Sequence, residues 1–394
     1  MPRALAPDLA RGAMLLLIAV ANAVGVVFGG ELSGELHPVG VERWTNVVMF
    51  AAVHARAYPM FAILFGYGIV QLATRQRALG ATPAQVRRIL LRRNGWLIVF
   101  GLAHAVLLYS GDFLGAYGLV GIVATLLLLP DRRRLERVGL FLWAAMVIEV
   151  LVLGALTLAA LGRPQPDRHG LPAHPTDSLQ AGSFGPALAD RVAEWPRHTL
   201  VVVPFIVIVW LGMIAARRRL LEDAAAHRRL LTVVAAGGIT IAVAGGLPLG
   251  LVAGGYLTAD DSTLRLMTLL QGASGIFGGL GYTAGFGLIA ARLTERRAIG
   301  VRMLVALGRR SLSGYLFQSV AWLLLLAPFT LHLAQRSPSP LLAGIGVGAL
   351  VWAVSVGAAD RLGDRPGPAE LVLRRLTYGP RPGPGPGQVT KPRR

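Results

Sequence analysis

Runs of eighteen or more predominantly apolar residues recur from one end of this 394-residue chain to the other. A helix needs about that length to cross the roughly 30 Å hydrocarbon core of a bilayer. Ten helices are predicted, near 13–29, 46–73, 95–110, 113–130, 138–161, 199–216, 230–253, 266–290, 311–334 and 341–359. The expected fold class is all-α: a polytopic transmembrane helix bundle formed by a single domain over 1–378. Residues 379–394 form a Pro/Gly-rich tail, because its GPRPGPGPG stretch suits neither a helix nor a strand interior. Composition agrees, with 54% hydrophobic and 15% charged residues against about 25% charged in soluble domains. The stretch 46–73 holds His54, Arg56 and Pro59, so a tilt, a kink or a partly interfacial path is expected there. The first helix is read as uncleaved: apolar residues run on through Phe28, past the cleavage-like Ala21-Asn22-Ala23, and Asp8 interrupts the basic start.

Lys and Arg number 39 against 20 Asp and Glu, a net +19 that would otherwise invite a nucleic-acid partner. Its distribution argues for a lipid bilayer instead. Arg75, Arg77, Arg87, Arg88, Arg92 and Arg93 share one connection without an acid. Further Arg clusters fall at 132–137, 217–229 and 292–310, while the intervening segments 30–45, 162–198 and 254–265 are acidic or neutral. Basic loops stay in the cytoplasm, so both termini are expected on the cytoplasmic side of the membrane. No nucleic-acid partner is expected. The chain has no Cys, which removes disulfides, thiolate nucleophiles and Cys-based metal sites. No metal-ligand spacing, phosphate-binding Gly loop or nucleophile elbow occurs.

Ionisable side chains at membrane depth are costly and usually face a bundle interior or a cavity. His54, Arg56, His104 and Glu149 are the deep ones, and Gln318 is a deep amide. Arg93 and His104 are eleven positions apart, about three turns, so they share one helix face within roughly 20° and lie about 16 Å apart along the axis. Arg93 closes a basic loop and His104 sits well inside the span. Two readings follow. Arg93 can hold the anionic head of a long-armed donor whose reactive end reaches His104, with imidazole as general base or acyl acceptor. Alternatively, Arg93 anchors the helix end and His104 makes an interhelical hydrogen bond. Asp112 lies about 12 Å further on if the helix continues. It reaches His104 only if the tight turn after Ser110 folds back; otherwise it caps the next helix. The Gly-dense stretch from Gly272 to Gly287 permits close helix packing, or thins a lining to admit an acyl chain.

Four segments stand out together: Asp8-Leu9-Ala10-Arg11-Gly12, the stretch from Phe61 to Gly68, the stretch from Arg93 to Gly118 with Gly101, His104, Asp112 and Tyr117, and the pair 308–319 and 367–378. In order and spacing they resemble the YeiB-like bacterial membrane family, domain of unknown function 418. Ser313-Gly314 replaces the family's usual Thr-Asn, and Arg56 stands where Lys is usual. The Arg-ten-His spacing is similar to that of membrane acyltransferase-three proteins, which are also ten-helix bundles. That resemblance implies Arg93 beside a cytoplasmic acyl-coenzyme A co-substrate, His104 as the catalytic group, and a glycan or lipid acceptor on the other side. Tyr117 and Gln318 join Arg93, Arg56, His54 and Glu149 as expected substrate-binding residues, with Asp112 beside His104 in catalysis and no bound cofactor.

Two functions therefore compete. An acyltransferase needs a cavity joining the arginine-rich rim to His104. A small-solute transporter would use His54, Arg56, His104 and Glu149 as binding or proton-relay groups around a midplane pocket closed to that rim. A purely structural partner role is a third possibility.

Overall fold

The computed structural model describes residues 4–30, 33–130, 133–163, 171, 176–293 and 298–379. They fold as an all-α bundle. Its helices are α1 (Leu5–Phe28), α2 (Val41–Val48), α3 (Ala57–Ala78), α4 (Pro83–Leu107), α5 (Leu114–Val123), α6 (Arg133–Leu161), α7 (Asp177–Gln180) and α8 (Phe184–Val202). They continue as α9 (Ile206–Arg217), α10 (Arg228–Ala253), α11 (Asp261–Arg292), α12 (Ile299–Gly308), α13 (Ser311–Leu326), α14 (Pro340–Arg361) and α15 (Pro368–Tyr378). Among the described residues eight helical segments are long and apolar enough to cross a membrane: Leu5–Phe28, Val41–Ala78, Pro83–Leu107, Arg137–Leu161, Phe184–Arg217, Arg228–Ala253, Asp261–Arg292 and Pro340–Arg361. Leu114–Leu128, Ile299–Gly308 and Ser311–Leu326 are shorter apolar helices. The expected spans near 113–130 and 311–334 thus correspond to two of the short ones. Past Gly379, the expected tail lies outside the described residues.

Helix α3 runs through the middle, with Met60, Leu64, Tyr67 and Ile69 buried. It packs along α9, while α10 lies on α11, α4 on α5, and α1 on α14 and α12. Small residues set these approaches. A Cβ on Gly66 would stand 1.9 Å from the Val209 carbonyl oxygen, and one on Gly212 would stand 2.1 Å from that of Ile63, so α3 and α9 touch backbone to backbone. The glycines of α11 act the same way: Gly275, Gly278, Gly279 and Gly281 face α3, α10 and the segment before α3 closely, while Gly272 and Gly285 face open space. Close packing accounts for the dense part of that pattern. Asp260 caps α11 through the Thr263 N–H at 2.7 Å, a bond that, with the Ser262 hydroxyl, holds its carboxyl down to about 2.

The kink expected within 46–73 is a break. After α2 the chain passes through a π-helical turn, Met49–Val53, and Ala55 adopts a left-handed φ of 61° before α3 begins. A break in a membrane helix frees carbonyls that lipid cannot satisfy. Arg56 supplies the donors: its guanidinium bonds the carbonyls of His54 (3.0 Å), Ala51 (3.2 Å), Gln271 (3.0 Å) and Ala242 (2.5 Å). The Tyr282 hydroxyl donates to the Ala52 carbonyl at 2.8 Å, and the Gln271 amide to those of Phe50 and His54. The break is stitched to α10 and α11 by side chains.

Candidate functional site

Helix α4 ends with the N–H groups of Leu108 and Tyr109 both donating to the His104 carbonyl, at 2.9 and 3.1 Å. The chain then reverses over a few residues and returns as α5. Asp112 sits in that reversal, fully buried, and accepts the N–H groups of Leu114 (3.1 Å) and Gly115 (2.7 Å) at the start of α5. The turn also folds back: Asp112 Oδ1 stands 2.9 Å from His104 Nδ1. The oxygen lies off the ring N–H axis, so this contact is electrostatic rather than a straight hydrogen bond. Capping α5 and facing His104 were alternatives in the sequence; one carboxylate does both.

The closeness needs glycine on both helices. A Cβ on Gly101 would lie 2.0 Å from the Gly115 nitrogen and 2.5 Å from Asp112 Oδ2. One on Gly115 would meet the Trp195 ring at 2.8 Å.

The other imidazole nitrogen, Nε2, is 2.8 Å from Ser319 Oγ. Ser319 lies one turn beyond Tyr315 on α13, and its hydroxyl also reaches the Tyr315 carbonyl at 3.3 Å. The Tyr315 ring covers the imidazole, with centroids 4.8 Å apart. Asp112 and Ser319 thus flank the two nitrogens of His104, and the three residues are 0%, 1% and 2% exposed respectively. Sequence reasoning missed Ser319 and Tyr315. Both stand in the quoted 308–319 segment, but their proximity to His104 depends on a contact between residues 215 positions apart.

A cavity of about 270 Å³ approaches this layer from the arginine-rich end. Arg11, Arg75, Arg93 and Arg309 line it, together with Phe61, Phe65, Leu97, Leu114, Tyr117 and Tyr315. Its direction follows from the helices: along α4 it touches Arg93 and Leu97, and along α13 it touches Ser311, Leu312 and Tyr315. His104 lies two turns beyond Leu97 on α4, and Ser319 one turn beyond Tyr315 on α13. Tyr315 therefore divides the cavity from the imidazole. The half-buried Arg93 guanidinium lies 5.7 Å over the Phe65 ring, and the Tyr117 hydroxyl donates to the Tyr58 carbonyl at 2.8 Å. Gln71, also in the wall, donates to Glu222 at 2.7 Å, and the Tyr67 hydroxyl bonds the same carboxylate. Burial raises the Glu222 carboxyl above its ordinary range. At the mouth, Glu370 of α15 accepts the Leu312 N–H (2.8 Å) and the Ser313 hydroxyl (2.5 Å), tying α15 beneath α13.

On the opposite side, Ser319 borders a small void of about 10 Å³ with Tyr109, Ser178, Arg191 and Trp322. Helices α7 and α8 close it: Ser178 donates to both Glu194 oxygens at 3.0 and 2.5 Å, and Arg191 donates to the Leu107 carbonyl at 3.1 Å. A wider groove, about 810 Å³, runs past Arg87, Arg88 and Arg92. Among the described residues its walls come from α4 alone.

Of the residues singled out in the sequence, the structure brings His104 and Asp112 together and places Arg93 and Tyr117 around the cavity below them. Gln318 points elsewhere, donating to the Leu15 carbonyl of α1 at 3.2 Å. His54 and Arg56 belong to the break before α3. Glu149 is exposed on α6. These last three do not share a pocket with His104.

Residues 215–380 match the family model described as protein of unknown function DUF418. The chain is 28% identical over 165 residues to the uncharacterized protein YeiB of Escherichia coli strain K12, covering 40% of each chain. It is 28% identical over 210 residues, 52% of each, to an uncharacterized 39.9 kDa protein in the amylase 3′ region of Bacillus acidopullulyticus. Over 112 residues it is 30% identical to the uncharacterized protein YxaH of Bacillus subtilis strain 168, covering 25% of that protein. The chain spans about half or less of the length of these curated relatives. The matches bear out the YeiB-like, DUF418 resemblance read from the sequence. Tyr315 and Ser319 fall within the matched residues; Arg93, His104 and Asp112 precede them.

Proposed function

We propose that this YeiB-like membrane protein is an acyltransferase of a bacterial plasma membrane, taking an acyl group from a cytoplasmic thioester such as acyl-coenzyme A to a hydroxyl acceptor on the opposite side. The arginine-rich end is the cytoplasmic one in this reading, and both termini lie there. One observation carries the proposal: a cavity with Arg11, Arg75, Arg93 and Arg309 in its wall runs toward His104 and stops at the tyrosine covering it.

Four guanidiniums around one mouth suit a head bearing several phosphate charges. Arg11 and Arg309 share the buried Asp8 at 3.5 and 3.6 Å, and Arg11 also donates to the Leu64 carbonyl at 2.9 Å, so Arg75 and Arg93 are the pair best placed to fork onto the head. About 270 Å³ of largely apolar space suits the arm and reacting end of the donor, with its head left at the rim. His104 is placed for proton transfer. Its Nε2 faces a hydroxyl at 2.8 Å, and its Nδ1 faces the Asp112 carboxylate at 2.9 Å. Tyr315 must swing aside for a thioester carbonyl to meet this layer.

The test is donor binding and turnover by purified protein with radiolabelled acyl-coenzyme A. Arg93→Ala should weaken binding at least tenfold, and His104→Ala should bind normally while turning over at least a hundredfold more slowly. No saturable donor binding by the wild-type protein, together with solute counterflow in liposomes, would replace this reading with transport.

A further inference from the structure

The two spaces bordering the buried layer reach different residues. The inner cavity ends at Tyr315, and the outer void ends at Ser319, one helical turn further along α13. His104 touches both residues. Direct transfer would require donor carbon and acceptor oxygen to approach within about 3–3.5 Å of each other. The outer void is about 10 Å³, the room of roughly one water molecule. Neither space holds both reactants.

Resting on the acyl-transfer reading, we propose that Ser319 carries the acyl group as a covalent ester between the two half-reactions. Its Oγ has what an activated hydroxyl requires: a base nitrogen at 2.8 Å, and a carboxylate holding the other side of that base at 2.9 Å. In the first step the Ser319 hydroxyl proton passes to His104 Nε2 as Oγ bonds to the thioester carbonyl carbon. The C–S bond then breaks, and the leaving sulfur takes the proton from His104 to become a thiol. In the second step an acceptor hydroxyl, admitted where α7 and α8 close the void, gives its proton to His104 and bonds to the ester carbon. The C–Oγ bond breaks, and Ser319 recovers the proton. Thioester and alcohol become ester and thiol, with no change of oxidation state.

Burial fits this carrier role. At 1% exposure, a Ser319 ester is shielded from bulk water, so the acyl group can wait for its acceptor. The geometry also explains how a group can move past His104 without an open path: the donor never leaves one side, the acceptor never leaves the other, and the ester sits between them.

The absence of cysteine makes the test direct, since a thiol reagent reads only thiol released from the donor. The full-length protein is mixed with acetyl-coenzyme A and no acceptor, and thiol release is followed alongside peptide mass spectrometry. The expected result is a burst approaching one thiol per chain and an acetyl ester on the Ser319 peptide. Hydroxylamine should remove that ester and restart turnover. Ser319→Ala should keep donor binding and its unfolding midpoint but lose burst and ester; His104→Ala should slow the burst at least a hundredfold. Ser319→Cys should carry an acetyl thioester at the same position. Normal donor binding with His104-dependent turnover, but no adduct at Ser319 or an undiminished burst in Ser319→Ala, overturns the covalent step alone and leaves the acyltransferase reading standing. No donor binding by the wild-type protein overturns both.

Discussion

Gly101→Ala isolates the contact on which the His104 geometry depends, and Gly95→Ala on the same helix is its control. Both sites lie within α4, where replacing glycine by alanine favours the helix by about 1 kcal/mol. At Gly95 a Cβ meets nothing within 4 Å, so that gain should appear undiminished. At Gly101 the new carbon would sit 2.0 Å from the Gly115 nitrogen, 2.4 Å from its Cα and 2.5 Å from Asp112 Oδ2. Ordinary contact begins at 3.4 Å, so the first turn of α5 must retreat by more than an ångström. Two of those three atoms are backbone, which a side-chain rotation cannot relieve. Overpacking of this kind costs about 1–3 kcal/mol; taking the upper end and subtracting the helix gain leaves a net loss of about 2 kcal/mol.

The functional consequence should be larger than the structural one. Asp112 rides on the start of α5, so moving that turn carries the carboxylate away from His104 Nδ1, now 2.9 Å distant. A misplacement near 1 Å at reacting groups can cost about a hundredfold in rate. Detergent-solubilised variants are compared by thermal unfolding and by the thiol-release burst. Gly95→Ala should unfold at or above the wild-type midpoint with a normal burst. Gly101→Ala should unfold several degrees lower and show a burst slowed about a hundredfold at saturating donor. Equal midpoints and equal bursts for the two variants would refute the claim that the α4–α5 contact sets the position of Asp112.

Arg56→Ala should be among the most damaging single changes, because it leaves carbonyls at the break unsatisfied in a buried site; a loss of about 1–3 kcal/mol per unsatisfied group is expected, read as a large drop in unfolding midpoint or in folded yield. Arg56→Lys should not restore it, since an ammonium lacks the planar fork that reaches four acceptors. Glu222 has a carboxyl raised by burial, so the folded protein holds that proton at pH values where the unfolded chain has lost it. Stability should therefore fall as pH rises from the ordinary carboxylate range through the raised value; comparing unfolding midpoints at pH 5 and pH 8, Glu222→Gln should show a smaller decline, and identical declines would refute this assignment. Glu149→Leu, on an exposed face of α6, should leave the burst within twofold of wild type and should not lower the midpoint; a tenfold loss would place Glu149 in the site after all.

How much of this was legible in the sequence differs from residue to residue for physical reasons. Helices were legible because lipid demands long apolar runs, and the shared face of Arg93 and His104 follows from helical periodicity within one unbroken element. Asp112 was half legible: its proximity to a helix start could be read, but its return to His104 depends on the reversal after α4 and on Gly101 opposing Gly115. Ser319 was not legible, since its position opposite His104 comes from tertiary packing between α4 and α13. Arg56 was legible as unusual and not as a clasp, because two of its acceptors, Ala242 and Gln271, belong to other helices. Glu149 sits in a stretch apolar all round, where periodicity gives no guide to which face the bundle leaves outward.

The placement of the buried layer has a consequence for the bilayer itself. A channel wide enough for both substrates would also pass ions and protons, so transfer across a membrane is compatible with a sealed membrane only if the reacting layer is also the seal. Tyr315, His104 and Ser319 meet that requirement as neighbours on α13 and α4, each in contact with the next and together separating the two spaces. Rigidity of the layer and mobility of its covers are then separate demands on separate elements. Asp112, fixed by two N–H groups of α5 and given room by Gly101, holds the imidazole still. The Tyr315 ring on one side, and the α7–α8 contacts of Ser178 with Glu194 on the other, are the parts that must move. Substitutions at Gly101 or Asp112 should therefore slow both half-reactions together. Loosening α7 and α8 with Glu194→Gln should change only discharge of the ester to an acceptor and leave the thiol burst untouched. A burst slowed in Glu194→Gln as much as in Gly101→Ala would show that the two covers and the layer move as one body, and the division of labour would fail.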